Sequence, residues 1–555
     1  MIVARNDMLC GSNFRRKSLW EQISMTNTFR MIAVGATIGL GWMISFASLP
    51  AQAQAVQLVV GNSPSEDVIA LSADGLDLAL SSLPELVEDI LERSGVPGAA
   101  VAVVHGGETV FSQGFGVREL GKPQLVTADT VFQIASLSKP LSGTVGAIEV
   151  SSGRVGWDDK ATDYLPSLRL ADDYVTSHAT IGDFFAHRSG LPMAAGDDLE
   201  DIGYSRDEII SRLRFLSLDA FRTSYHYANF GITIGAEAIA AAAGQDWETL
   251  ADEVLFQPLG MTSSSFRYSD FLARENRAAL HAYVEGRFQP LYERDADAQA
   301  PAGGASSSAN DLAEWLQLLL ANGQYGGVEI FTQASFLPAV SPQAFSAQPH
   351  LITARPSFYG YGFNVGTEAN GRTSFSHSGA FVLGAGTNMR FIPSANIGIV
   401  VLTNGAPIGA AEAISTQFLE LVQYGEVTRD WFGGYNSILA NYLTPVGDLV
   451  GQTPPEDLDV GRTLSEYVGA YDNPYFGGAE IRQVESGLEF VFGPAEVTLA
   501  MTPWGPNRFA VAPQNENAPD GSISSLTFEE VQGEPASFVV EYLNGYRQGL
   551  WTRRP

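Results

Sequence analysis

The sequence predicts an α+β fold: an antiparallel sheet flanked by helices, with a helical lobe beside it, followed by a small all-β, barrel-like domain. Three observations carry this. Strand-like runs stand near both ends of the first 425 residues and enclose a long helical middle, so both ends would close one sheet. Those runs do not alternate with helices as βαβ units would. Beyond residue 462, short apolar runs recur with turn signals between them, the pattern of a barrel or sandwich.

At 555 residues the chain exceeds one ordinary core, and two domains plus a leader are expected. The division reads 1–55 signal peptide region, 56–84 N-terminal extension, 85–425 first domain, 426–462 linker, 463–555 all-β domain. In the leader, Arg15, Arg16, Lys17 and Arg30 precede the apolar run "MIAVGATIGLGWMISFASL" and then "PAQAQA". A basic region, an apolar region and a small-x-small site are the order of a secretory signal, with cleavage after Ala53 or Ala55. An uncleaved anchor is the alternative reading, and translation from Met25 an alternative start. Export to a periplasm or out of the cell follows, with no stable membrane insertion after cleavage. Cys10, the only cysteine, lies in the leader, so disulfides would not hold the exported chain together.

Residues 83–94 place Leu86, Val87, Ile90 and Leu91 at helical spacing, and "GVPG" ends that helix. "AAVAVVHGGETVFSQGFG" reads as two strands around a "HGGE" turn. Helices and loops follow to about residue 320. Strands return as "YGFNVG", "TSFSHSG", "GTNMRFIP" and "IGIVVLTNG", and residues 410–424 are helical. The Pro/Gly-rich, acidic stretch 426–462 reads as the linker. The runs "LEFVFG", "VTLAMTPW", "RFAVAP", "SLTFEEV", "SFVVEYL" and "GLWTRRP" supply the second domain.

Net charge is −30, which disfavours nucleic acid and anionic lipid as partners and leaves a small-molecule or peptide substrate. The seven histidines form no H-E-x-x-H, and no Walker, dinucleotide or G-x-S-x-G fingerprint stands in the right context; no cofactor and no metal are expected. Nothing in the sequence sets the oligomeric state.

Three stations carry chemistry. Ser136 and Lys139 are spaced i, i+3, and Pro140, tolerated only in a first helical turn, puts a helix start near Ser136 or Leu137. A serine hydroxyl needs a base, and a desolvated lysine amine can be one; an N-cap serine before a solvated lysine is the other reading. Tyr227 and Asn229, i and i+2 in a short non-helical loop, could point the same way, the phenol passing protons and the amide meeting a substrate carbonyl. An aromatic core residue beside a turn asparagine is the plainer reading. His377-Ser378-Gly379 lies in a strand-like run, where the glycine lets another backbone approach and a substrate could lie alongside; a cross-strand histidine on an open face is the alternative.

Taken in this order, Ser136-Leu-Ser-Lys139, Tyr227-Ala-Asn229 and His377-Ser-Gly379 resemble the S-x-x-K, Y-x-N and K-T-G or H-x-G marks of the penicillin-recognising serine hydrolases: class C β-lactamases, D-alanyl-D-alanine carboxypeptidases, and related esterases and D-aminopeptidases. "FFAHRSGLP", "PLGMTSSSF", "PAGGASSSANDLAEWL" and "YGYGFNV" resemble the family too, over about residues 85–425. "YVGAYDNPYFGGAEI" and the strands after it are similar to an attached lipocalin-like domain. The resemblance implies an acyl-enzyme on Ser136, general-base and general-acid work by Lys139 and Tyr227, an oxyanion hole from the backbone N–H groups of Ser136 and Ala380, and substrate binding by Asn229, His377, Ser378 and Gly379. It departs from β-lactamases in carrying His377 where they have lysine. A largely neutral histidine suits a substrate carboxylate poorly, so a D-residue peptidase or esterase is expected ahead of a class C-like β-lactamase or a slowly deacylating penicillin sensor.

Overall fold

The structure is a computed structural model that describes residues 71–455, 461–531 and 533–555. The expected leader, Cys10 and the extension up to residue 70 lie outside the described residues, as do residues 456–460 of the expected linker.

Helix α1 spans Gly75–Ser94 and starts well before the apolar periodicity read from Leu86, because Pro84 sits inside it rather than opening it. Ala79, Leu83, Val87 and Ile90 fall on one buried stripe, which continues the spacing backward past the proline. Strands β1 (Gly98–His105) and β2 (Glu108–Gly116) form a hairpin whose turn is Gly106-Gly107, both at positive φ. Helix α2 (Ser138–Ser151), helix α3 (Asn229–Ala243) and helix α4 (Ala309–Leu320) belong to the helical middle. Strands β3 (Ala344–Ala347), β4 (Ser357–Tyr359), β5 (Asn364–Thr367), β6 (Thr373–Phe381), β7 (Ala385–Ile392) and β8 (Ile397–Thr403) follow, then helix α5 (Ala410–Tyr424). The eight strands make one antiparallel sheet in the order β2–β1–β8–β7–β6–β5–β4–β3, so the N-terminal hairpin does pair with the last strand.

The sheet is buried on both faces at its centre, which explains the unbroken apolar runs of β1 and β8. Ala99, Val101 and Val103 point toward α1 and α5 with Ile397, Ile399 and Val401, whereas Ala100, Ala102 and Val104 point into the helical lobe with Val400 and Leu402.

Helix α6 (Trp431–Leu439) breaks the expected 426–462 linker, and Trp431 donates to Glu420 of α5 at 2.8 Å. Further on, Leu449 is buried with Trp504, and the Ile523 N–H donates to the Val446 carbonyl at 3.1 Å. The described part of this stretch is therefore packed against both domains.

Eight strands then close a barrel: β9 (Gly469–Asn473), β10 (Gly477–Val484), β11 (Gly487–Phe492), β12 (Val497–Gly505), β13 (Arg508–Val511), β14 (Ser524–Val531), β15 (Glu534–Val540) and β16 (Leu550–Arg553), with β9 pairing β16. Its interior is filled by rings. Trp551 stacks between Phe476 at 5.1 Å and Phe538 at 5.4 Å, and Tyr471, Phe490 and Phe528 complete the plug. Among the described residues no helix is long and apolar enough to cross a membrane.

Candidate active site

Ser136 sits in a single 3₁₀ turn, Ala135–Leu137, that runs directly into α2, so the helix starts where Pro140 places it. The turn is tightly constrained. Ala135 takes a left-handed φ of 48°, a conformation that costs a residue with a Cβ about 1–3 kcal/mol and persists only where neighbours impose it. The neighbours are identifiable. Ser138 Oγ donates to the Ala135 carbonyl at 2.7 Å and accepts the Ala305 N–H at 2.9 Å. Thr387 Oγ1 on β7 donates to the Ile134 carbonyl at 2.9 Å. Gly379 on β6 passes so close that a Cβ there would stand 2.2 Å from the Ile134 carbonyl oxygen and 3.1 Å from the Ser136 nitrogen.

The structure brings Ser136, Lys139, Tyr227 and Asn229 together. Lys139 Nζ lies 2.9 Å from Ser136 Oγ, 2.7 Å from Asn229 Oδ1 and 2.8 Å from the Ala302 carbonyl. The Tyr227 hydroxyl donates to Ser136 Oγ at 2.9 Å, and its ring lies 4.5 Å from the lysine nitrogen. Tyr227 is in a loop as expected, whereas Asn229 is the first residue of α3. Behind this group, Asn229 Nδ2 donates to Asp197 Oδ2 at 2.9 Å.

Burial sets the protonation states. Lys139 is fully buried, and loss of solvent brings its amine down to about 7, against the pull of the Asp197 carboxylate. Burial pushes Asp197 up to about 8, with Glu200 adding to the rise and Lys139 opposing it. The Tyr227 phenol is held well above its ordinary value, again by burial, and stays protonated.

His377 is placed differently from the expectation that it meets substrate. It is 4% exposed, and both ring nitrogens are engaged by the chain itself. Nδ1 stands 2.7 Å from the Ser378 carbonyl and must donate to it, so Nε2 accepts from the Tyr359 hydroxyl at 2.9 Å. Desolvation and the nearby Lys139 bring it down to about 3, so the ring is neutral. Successive residues of β6 face opposite sides, so the Ser378 side chain turns away from the His377 side; its hydroxyl accepts from Asn388 Nδ2 at 3.0 Å. From His377 to Phe381 strand β6 is paired with β7 on one edge, while the register with β5 stops at Ser376. The open edge is thus next to Ser136, and Gly379 and Ala380 lie on it.

The residue pattern did not single out Asp197, Ala302, Tyr359 or Thr387. Ala302 and Tyr359 lie inside the stretches "PAGGASSSANDLAEWL" and "YGYGFNV"; Asp197 stands in a plain acidic run. His187, in "FFAHRSGLP", is buried and tilted against Tyr227 at 4.5 Å, where its Nδ1 accepts the Ala228 N–H at 3.2 Å. Among the described residues no group of acidic, histidine or cysteine side chains is arranged to hold a metal ion.

The family model described as Beta-lactamase matches residues 83–422, well over half of the chain. The chain belongs to the beta-lactamase family. Among similar proteins, the Unguisins hydrolase ungD' of Aspergillus campestris is 28% identical over 60% of this chain and 62% of its own length, so the match spans less than two thirds of that relative. Penicillin-binding protein 4 of Amycolatopsis lactamdurans is 27% identical over 59% of this chain and 85% of its own. The D-alanyl-D-alanine-carboxypeptidase/endopeptidase AmpH of Escherichia coli is 24% identical over 61% and 89% respectively. Of solved structures, the octameric penicillin-binding protein homologue from Pyrococcus abyssi aligns with a TM-score of 0.52 at 17% identity, covering 85% of this chain and 99% of that one. A class C beta lactamase from Rhodobacter sphaeroides aligns at 0.50 and 23% identity over 61% of this chain and 98% of that one. The names of these relatives include a hydrolase, a penicillin-binding protein and a carboxypeptidase/endopeptidase.

Proposed function

We propose that this beta-lactamase family protein is an exported hydrolase that cleaves an ester or peptide amide, D-residue peptides included, through an acyl-enzyme on Ser136. The observation that carries the reading is the hydrogen-bond count at the buried amine. A neutral Lys139 has two N–H donors, which the Asn229 and Ala302 oxygens accept, and one lone pair, which faces the Ser136 hydroxyl. The Ser136 O–H then donates to Lys139 Nζ while its oxygen accepts from Tyr227. In this arrangement every donor has an acceptor, and the serine is already bonded to its base.

Attack forms the bond from Ser136 Oγ to the carbonyl carbon, and the serine proton passes to Lys139. The carbonyl oxygen takes the charge and is met by the backbone N–H groups of Ser136 and Ala380, beside the close approach of Gly379. On collapse the bond to the leaving group breaks, and Tyr227 hands it a proton that Lys139 replaces. Water then attacks the acyl carbon with Lys139 and Tyr227 again as the base pair, which restores the serine. Asn229 serves chiefly as a fixed acceptor for the lysine. His377 acts through Tyr359 and the Ser378 carbonyl.

The substrate class follows from charge. His377 is neutral and buried, and Arg294, beyond Phe381, is tied to Glu200 and Asp201. This favours acyl groups without a carboxylate beside the scissile bond and disfavours penicillins. Relatives named as an unguisins hydrolase and a carboxypeptidase/endopeptidase are compatible with amide cleavage. The basic, apolar, small-x-small N-terminus supports export.

Kinetics on a p-nitrophenyl ester, a D-alanine p-nitroanilide and a chromogenic cephalosporin test the reading, with Ser136→Ala as control. Ester or amide turnover should exceed cephalosporin turnover in kcat/KM by about tenfold or more, the scale of a lost charge-assisted contact of 1.5–3 kcal/mol. The opposite preference, or a stable cephalosporin adduct on Ser136 without turnover of any of the three, overturns it.

A further inference from the structure

Among the contacts that the barrel makes with the rest of the molecule, two lie one step behind a wall of the cleft. On the first side, the Tyr475 hydroxyl donates to Asp198 Oδ1 at 2.8 Å and accepts the Gly196 N–H at 3.1 Å. It therefore grips both neighbours of Asp197. Asp197 in turn accepts from Asn229, and Asn229 accepts from Lys139. Around this contact the Tyr204 hydroxyl donates to the Phe476 carbonyl at 2.9 Å, and the Ala495 N–H to the Ile202 carbonyl at 3.1 Å. On the second side, the Glu516 carboxylate, from the loop between β13 and β14, accepts the N–H groups of Val382 and Leu383 at 2.7 and 3.2 Å. Those two residues directly follow the open edge of β6 that carries Gly379 and Ala380. The neighbouring Asn517 donates to Asp201 at 2.7 Å.

A hydrolase domain that merely carried a passenger would need neither contact. Tyr475 is buried, and a phenol placed there without partners would be costly, so its two bonds fix the Gly196–Asp198 backbone firmly. The turn after Phe381 has no β5 partner to hold it; Glu516 supplies acceptors to its N–H groups instead. We propose that the C-terminal barrel contributes two positioning residues to the active site: Tyr475, which holds Asp197 behind the Asn229–Lys139 pair, and Glu516, which fixes the end of the strand that borders Ser136. The inference rests on Ser136 being the nucleophile.

The full-length chain tests this with Tyr475→Phe, Glu516→Gln, Asp198→Ala, Asp198→Asn and, on an exposed barrel strand away from the contact, Glu480→Gln. The readouts are the rate of fluorophosphonate labelling at Ser136 and kcat and KM for a p-nitrophenyl ester. Tyr475→Phe, Glu516→Gln and Asp198→Ala should each slow labelling and lower kcat by about tenfold or more with KM within about twofold, since sub-ångström displacement of a base or of oxyanion donors acts on the transition state. Asp198→Asn, which keeps an acceptor for the Tyr475 hydroxyl, and Glu480→Gln should stay near wild type. Wild-type protein that resists labelling at Ser136 defeats the proposed function itself. Wild-type labelling together with unchanged rates in Tyr475→Phe and Glu516→Gln leaves that function standing and overturns this inference. If Tyr475→Phe loses its cooperative thermal transition, the Asp198→Ala and Asp198→Asn pair decides from the hydrolase side: equal rates in the two overturn it.

Discussion

Lys139 has an amine that must be dry to be a base and yet needs acceptors to be buried at all. The structure meets both needs with neutral oxygens at hydrogen-bond distance, the carboxylate of Asp197 standing one residue further back. Because burial holds the amine near 7, activity that needs its free lone pair should rise with pH through about 7. A pH profile of kcat/KM for the ester checks this, and Lys139→Ala should lower the plateau on the order of 10²- to 10⁴-fold. His377 makes the opposite use of burial. Its folded value is about 3 against about 6.5 in an unfolded chain, so the unfolded state binds its proton first. The stability this group contributes is complete above about 6.5 and drains away as pH falls toward 3. Denaturant melts from pH 7 to pH 4 should show a steeper loss in the wild type than in His377→Asn, with the difference opening below about 6.5.

At the scale of elements, one glycine decides whether the nucleophile's turn and strand β6 can meet. A methyl at Gly379 would collide with the Ile134 carbonyl and with Thr387 Oγ1 at 2.3 Å, neither of which is a flexible chain end. Gly379→Ala should therefore force β6 away from Ser136 and cost roughly 10²-fold or more in kcat, the scale of an ångström's misplacement; ester kinetics with a thermal melt as control would show it. This glycine was legible in H-x-G, and the start of α2 was legible from Pro140, because both are local backbone constraints. The start of α1 was not, since Pro84 looks like a helix opening while the stripe of Ala79 and Leu83 that extends past it depends on packing against α5. Nor was the role of His377. Its motif position was plain, but whether its nitrogens face substrate or the chain depends on Tyr359, eighteen residues away in sequence and brought close only by the pairing of β4, β5 and β6.

Across the whole molecule, the antiparallel sheet with its helices and the closed barrel were legible in the sequence, because strand periodicity and turn spacing are local signals. The contacts between them were not legible: Tyr475 and Glu516 look like any aromatic and acidic residue until the chain is folded. The barrel's stability rests on its ring-filled centre. Trp551→Ala removes a fully buried indole stacked on two phenylalanines, and should cost about 3–5 kcal/mol, seen as an earlier denaturant midpoint for the barrel.

Because β9 pairs with β16, the barrel cannot close until residues 550–553 have been synthesised. If Tyr475 and Glu516 brace the cleft as inferred, a nascent or partly translocated chain would carry the serine and the lysine long before they could cooperate. The order of synthesis would then serve as a built-in delay before the serine becomes reactive.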